Sequence, residues 1–157
     1  MVRPMKPEDR EIVLDIIRAT QMFTLLEISV ARELVDIYLD QPEQRDYFLA
    51  VVEDGSGGVV GYMAYGPTPL TDGTYDLYWM AVAPDRQGFG FGKELMSWLG
   101  KRVAEGGGRL IVIETSSQFK YEPTRRFYAG LGYQEISRIP DFYRPGDDRI
   151  TYIKHTA

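Results

Sequence analysis

The sequence predicts one mixed α/β domain, and three observations predict it. Stretches rich in β-formers alternate with stretches whose apolar residues recur at helical spacing. Leu110-Ile111-Val112-Ile113 is apolar without alternation, as in a central strand covered on both faces. The length, 157 residues, suits one hydrophobic core over residues 1–157.

Each element follows from local pattern. Pro7-Glu8-Asp9 opens a helix carrying Ile12, Val13, Ile16 and Ile17, with its carboxylates at the positive helix end. A second helix carries Ile28, Leu34, Ile37 and Tyr38 and stops before Gln41-Pro42, because proline disfavours helical geometry in the residue before it. Tyr47 to Val52 and Val59 to Tyr65 read as an antiparallel pair joined through Asp54-Gly55-Ser56-Gly57-Gly58. Gly66-Pro67-Thr68-Pro69 interrupts the pattern, and the loop to Gly73 is expected on the substrate side. A strand from Thr74 to Val82 follows. Leu95, Met96, Leu99 and Val103 form the apolar face of a helix that begins near Gly90 and ends at Gly106-Gly107-Gly108. With the strand beginning at Leu110 this makes a parallel β-α-β crossover. Pro123 starts a fourth helix, with Phe127, Tyr128 and Leu131, closed by Gly132. Strands Tyr133 to Arg138 and Arg149 to Lys154 flank Pro145-Gly146-Asp147-Asp148.

Composition narrows the function. Hydrophobic residues make up 44% of the chain and charged residues 26%, an ordinary globular balance. No apolar run approaches the roughly 18 residues of a membrane span, and the start lacks the apolar core of a signal peptide, so a cytoplasmic protein with no membrane partner is expected. Cysteine is absent, which fits that compartment and excludes thiol nucleophiles, disulfides and thiolate metal sites; no metal is expected. A net charge of -5 and the lack of a Lys/Arg stripe argue against nucleic acid. The lone histidine, His155, lies in the C-terminal tail without a partner and is given no role.

Gln87-Gly88-Phe89-Gly90-Phe91-Gly92-Lys93 stands between a predicted strand and a predicted helix, where free N–H groups and the helix dipole make an anion site. A β-carbon there would hold a pyrophosphate off the amides and penalise left-handed backbone. Neither well-known glycine loop fits. A P-loop ending at Gly92-Lys93 needs Gly where Gln87 stands and Ser or Thr where Glu94 stands; a dinucleotide fingerprint from Gly88 needs Gly or Ala where Lys93 stands. The alternative is an ordinary turn before a surface helix.

Gln87, Gly90 and Gly92 do match, in register, the acyl-CoA motif of the GNAT superfamily. Leu77-Tyr78-Trp79-Met80-Ala81-Val82-Ala83-Pro84 resembles the family's fourth strand, and Tyr128 with Gly132-Tyr133 resembles its aromatic-three-residues-Gly-aromatic signature. The resemblance runs from about Val59 to the end. It implies a mixed, mostly antiparallel sheet of about seven strands with two splayed central parallel strands and about four helices. It implies a soluble acyltransferase passing an acetyl group from acetyl-CoA to a primary amine on a small molecule or peptide; a non-catalytic CoA-binding sensor is the alternative. The oligomeric state, a homodimer included, stays open.

The resemblance also implies roles. Amides from Gly88 to Lys93 would hold the CoA pyrophosphate, and the backbone of Met80 and Val82 would pair with the pantetheine arm as an added strand. The two central strands would then splay beyond Val82. Tyr128 aligns with a tyrosine that assists the departing thiolate, unless it only packs with Phe127 and Leu131. A lysine acceptor with a pKa of about 10.4 needs deprotonating, a deficit of roughly 4 to 5 kcal/mol at neutral pH. Asp76, six residues before Val82, is the first candidate base, Glu114 the second and Glu27 a distant third; solvated strand-end acids are the alternative for each. Glu27, Tyr78 and Tyr143 are candidate acceptor contacts, whereas Tyr62, Tyr65, Tyr75 and Phe142 read as packing. One departure stands out: Tyr121 occupies a position where many relatives carry an Asn that touches pantetheine, and Thr124 replaces a common Ala.

Overall fold

A computed structural model describes all 157 residues. One seven-stranded sheet has the order β1-β2-β3-β4-β5-β7-β6, formed by β1 (Val2–Pro4), β2 (Phe48–Glu53), β3 (Val59–Pro67), β4 (Thr74–Val82), β5 (Leu110–Ser116), β6 (Gln134–Arg144) and β7 (Asp147–His155). Only β4 and β5 run parallel. Helices α1 (Arg10–Ala19), α2 (Leu25–Asp40), α3 (Phe91–Glu105) and α4 (Glu122–Gly130) complete the chain. The mixed fold with four helices and one parallel pair is the one expected.

The sheet divides the core in two. Ala50, Val52, Met63 and Leu77 pack with Leu95, Leu99, Val103 and Tyr128 on the α3–α4 face. Leu49, Val51, Tyr62 and Ala81 pack with Val13, Leu14, Ile17 and Val35 on the α1–α2 face. This is strand alternation read directly from β2 and β3. Helix registers differ from expectation in detail. In α1 it is Leu14 that is buried with Val13, Ile16 and Ile17, while Ile12 is 43% exposed, so the buried stripe is centred one position further along than the spacing of isoleucines suggests. In α2 the buried positions are Ala31 and Val35, close to the sheet where only small side chains fit, and Leu34 and Ile37 lie at the margin.

Two strand boundaries also move. The short edge strand β1, ending in Pro4, carried no sequence pattern long enough to read. Strand β6 continues past Arg138 to Arg144, because a wide bulge between Ile139 and Arg144 absorbs Pro140 on the free edge, and β7 begins at Asp147.

Central to the fold is a bulge in β4. Ala64 pairs with Trp79 and the next β3 residue, Tyr65, with Leu77, so Tyr78 is the extra residue. The β4–β5 pairing stops at the same place, at Leu77 opposite Ile113. The strands therefore part directly after Leu77 and not beyond Val82, since a bulge bends and twists the strand that carries it away from its neighbour.

The N-terminal strand is fastened by charge. Arg3 donates to both oxygens of the buried Asp9 at 2.7 and 3.0 Å and to Glu53 on β2. Burial pushes the Asp9 carboxyl up, but the Arg3 hydrogen bonds and the Lys6 amide outweigh it, leaving Asp9 below its ordinary value. A carboxyl depressed in the folded state stabilises above its unfolded pKa of about 3.9 and loses that contribution as pH falls through the folded value. Asp9→Asn should lower the unfolding free energy by about 2 kcal/mol at pH 7. In urea titrations the gap to the parent protein should hold down to about pH 4 and close below it.

Candidate active site

The parting of β4 and β5 opens a cleft of about 910 Å³ that runs from the N-terminus of α3 to the loop between α1 and α2. Every side chain singled out from the sequence lines it except Phe89, whose ring is 72% exposed.

At one end, the main-chain N–H groups from Gln87 through Lys93 find no acceptor within the chain; the first helical bond of α3 is Glu94 N–H to Gly90 O, at 3.0 Å. Gly88 and Gly90 have φ of +84° and +89°, angles that L side chains avoid, with open space where a β-carbon would stand. Gly92 is different. Its backbone is ordinary, and a β-carbon would come within 3.2 Å of Phe127 Cζ, so this glycine lets α3 approach α4. Arg86 and Lys93 add positive charge beside the loop, the former paired with Asp54 at 2.9 Å. Unpaired amides at a helix N-terminus with two nearby cations suit a diphosphate.

Along the middle runs the free edge of β4. Ala83 N–H donates to Val60 O on β3, so by strand alternation the main-chain groups of Ala81 also face β3 and those of Met80 and Val82 face the gap. An extended ligand arm can pair there as an added strand. In the structure Val82 O accepts from Gln87 Nε2 at 3.0 Å, so the Gln87 side chain braces this edge and its N–H joins the loop donors.

At the far end the two faces of the sheet bring different chemistry. Tyr128 belongs to the α3–α4 core, ringed by Phe127, Tyr133 and Tyr152 at centroid distances of 5.4, 6.0 and 6.3 Å. Burial, and then Tyr133, pushes its phenol well above the ordinary tyrosine range, so it stays protonated and keeps a hydrogen to donate. Asp76 and Glu114 alternate with Leu77 and Ile113 of that core and so project from the opposite face, beside the point where pairing ends. Asp76 Oδ2 accepts from Thr68 Oγ1 at 2.7 Å. Glu114 lies 3.7 Å from Arg149 and is half exposed. Tyr78, the bulge residue, keeps the Asp76 face as its parity predicted; burial and the Asp76 carboxylate push its phenol up to about 12. Tyr143 stacks edge-on against Phe142 at 5.0 Å, and burial followed by Glu114 pushes its phenol up.

Glu27 does line the cleft, but one carboxylate oxygen accepts from Thr24 N–H at 3.0 Å while Glu27 N–H donates to Thr24 Oγ1, a capping box that starts α2. The Gly66–Gly73 loop lines no part of the cleft and reaches it only through Thr68. Sequence reasoning missed Phe23 and Trp79, which meet edge-on at 5.2 Å in the cleft wall; the bulge turns Trp79 to the α1–α2 face. It also missed the task of Tyr121, whose hydroxyl donates to Met22 O at 3.2 Å beside Lys120 Nζ at 3.0 Å.

Residues 44–135 match the acetyltransferase (GNAT) domain family. A solved protein from Desulfovibrio desulfuricans assigned to the GNAT acetyltransferases is 43% identical, with a TM-score of 0.93 over 100% of this chain and 99% of that one. An aminoglycoside 6′-N-acetyltransferase complexed with coenzyme A (19% identity, TM-score 0.78, 100% and 97% covered) shares the fold. So does the ribosomal-protein-S18-alanine N-acetyltransferase from Escherichia coli (16% identity, TM-score 0.78, 100% and 94% covered). No curated protein matches the sequence. No helix is long and apolar enough to cross a membrane. With a cleft of this form and a family match across its glycine loop and splayed strand, the chain belongs to the GNAT acetyltransferases, enzymes that use acetyl-CoA.

Proposed function

We propose that the protein is an N-acetyltransferase that moves the acetyl group of acetyl-CoA onto a primary amine by direct attack in a ternary complex. One observation carries the reading: free amides, a free strand edge, the Tyr128 phenol and two carboxylates line a single cleft. Amides from Gly88 to Lys93 hold the pyrophosphate, with Phe89 contributing only its main chain. Met80 and Val82 hold the pantetheine arm, which brings the thioester to the point where β4 and β5 part.

When bound, acetyl-CoA supplies the activated acetyl group: the amine nitrogen forms its bond to the carbonyl carbon as the carbon–sulfur bond breaks. The amine arrives from the α1–α2 face, where Asp76 takes its proton through a water and Glu114 stands second. Sulfur leaves toward the α3–α4 face, where Tyr128 donates a hydrogen bond to the developing thiolate. Attack and departure on opposite faces need no covalent enzyme intermediate. Tyr78 and Tyr143, with the wall formed by Phe23 and Trp79, contact the acceptor; Glu27 contributes through the helix end it caps. The acceptor is a small-molecule or peptide amine, as in the two named relatives that acetylate an aminoglycoside and a protein alanine.

Thiol release from acetyl-CoA, measured against amino acids, polyamines, peptide N-termini and lysine peptides, tests the reading. Turnover with at least one amine is expected. Saturable CoA binding without turnover on any amine would favour a CoA sensor, and absence of binding would overturn the site itself. Gly90→Val should keep the fold and weaken CoA binding about 10- to 100-fold by calorimetry, because a β-branched residue resists a φ near +90° and blocks the amides. Tyr128→Phe should lower kcat about 100-fold with CoA affinity nearly unchanged, because the phenol acts on the departing sulfur and not on the bound cofactor.

A further inference from the structure

We infer that Thr68 is a positioning residue for the acetyl transfer, holding the Asp76 carboxylate in place from a loop outside the cleft lining. The inference rests on the assignment of Asp76 as proton acceptor. The loop from Thr68 to Gly73 is tied at each end: Thr68 N–H donates to Thr74 O at 2.8 Å, Thr71 Oγ1 donates to Thr68 O at 2.8 Å, and Gly73 O accepts from Arg109 N–H at 2.7 Å. Arg109 also grips Asp72 O with its guanidinium. A threonine whose main chain is held at both its N–H and its carbonyl has little freedom left. Its one useful side-chain atom donates 2.7 Å to Asp76 Oδ2.

Asp76 needs such a partner. It has no cation within ion-pair distance, unlike Glu114 and Asp147, and a short side chain on a strand about to bend at Tyr78 can adopt several rotamers. The Thr68 hydrogen bond to Oδ2 restrains the carboxylate from the loop side, with the Tyr78 phenol beside it on the cleft side, and Oδ1 accepts no bond from the loop. A relay misplaced by about 1 Å costs on the order of 100-fold in rate. The β-branch of threonine matters as well, because it restricts the rotation that would swing the hydroxyl away.

The experiment compares Thr68→Val, Thr68→Ser, Asp76→Asn and the Thr68→Val/Asp76→Asn double variant, using the amine that turns over best. Thr68→Val should lower kcat about 10-fold or more while KM for acetyl-CoA, CoA affinity and melting temperature stay near those of the parent. Thr68→Ser should recover most of kcat. In the Asp76→Asn background, itself slow, adding Thr68→Val should change nothing further. Full kcat in a folded Thr68→Val would overturn the proposal, as would an equal loss with and without Asp76. Loss of CoA affinity or melting temperature in proportion to kcat would assign Thr68 to folding alone. Full turnover in Asp76→Asn would remove the proton-acceptor role and this proposal together, while leaving acetyl transfer standing.

Discussion

The site depends on two parallel strands that pair over Thr74 to Leu77 and Leu110 to Ile113 and then separate. Main-chain N–H and carbonyl groups in the middle of a sheet are ordinarily paired, and leaving them open is tolerable only where solvent or a ligand can reach them. Here the opening coincides with the Tyr78 bulge, which gives β4 one more residue than β3 can match and turns it away from β5. The sheet is not broken by this, because β4 keeps its pairing to β3 on one side and β5 keeps its pairing to β7 on the other. A gap between two well-anchored strands is a rigid gap. Binding an extended arm there costs little reorganisation of the protein, the condition under which main-chain recognition gives affinity.

The same bulge sorts the chemistry by face. Without it Met80 and Val82 would share a face with Asp76; with it they turn to the α3–α4 side, and Tyr78 and Trp79 lie together on the α1–α2 side. The phenol of Tyr128 is then buried in the α3–α4 core, where a neutral group is stable, and Glu114, on the other face at the cleft, stays half exposed. The Tyr128 phenol and the two carboxylates therefore lie on opposite sides of one opening. Sheet parity, and not any single contact, keeps them apart.

Much of this was legible in the chain. The glycine segment could be read because its chemistry is main-chain chemistry: conformational freedom at residues 88 and 90 and a helix starting at 91 are local properties, and they survive folding unchanged. The unpatterned run at 110–113 marks a central strand, but only the Ile111 and Ile113 face is fully buried, because the Val112 face borders the cleft. What escaped depends on partners distant in sequence. Nothing around Tyr78 signals a bulge, since the extra residue exists only relative to β3. Gly92 looks like its neighbours in the motif, yet its reason is Phe127, 35 positions away. The capping role of Glu27 also went unread, although Thr24 three residues earlier spells a capping box, a signal that is local. The Gly66–Gly73 loop was read as facing substrate because it breaks a pattern, and a broken pattern says where the chain turns but not which side it faces.

At the end of the cleft beside the α1–α2 loop, most charged groups already have partners. Asp147 is buried and committed to Ser116, Gln118 and the turn it supports, and Glu27 to its helix end. Lys120 and Tyr121 converge on one acceptor, Met22 O, and so tie the α1–α2 loop to the segment before α4 across the cleft. The Tyr121 hydroxyl is thereby committed to the cleft wall. Of the carboxylates lining the cleft, Asp76 and Glu114 remain, on adjacent strands, and Glu114 shares its charge with Arg149. Asp76 has no cation partner and stands where the pairing of β4 and β5 ends, so charge and strand position single out the same carboxylate.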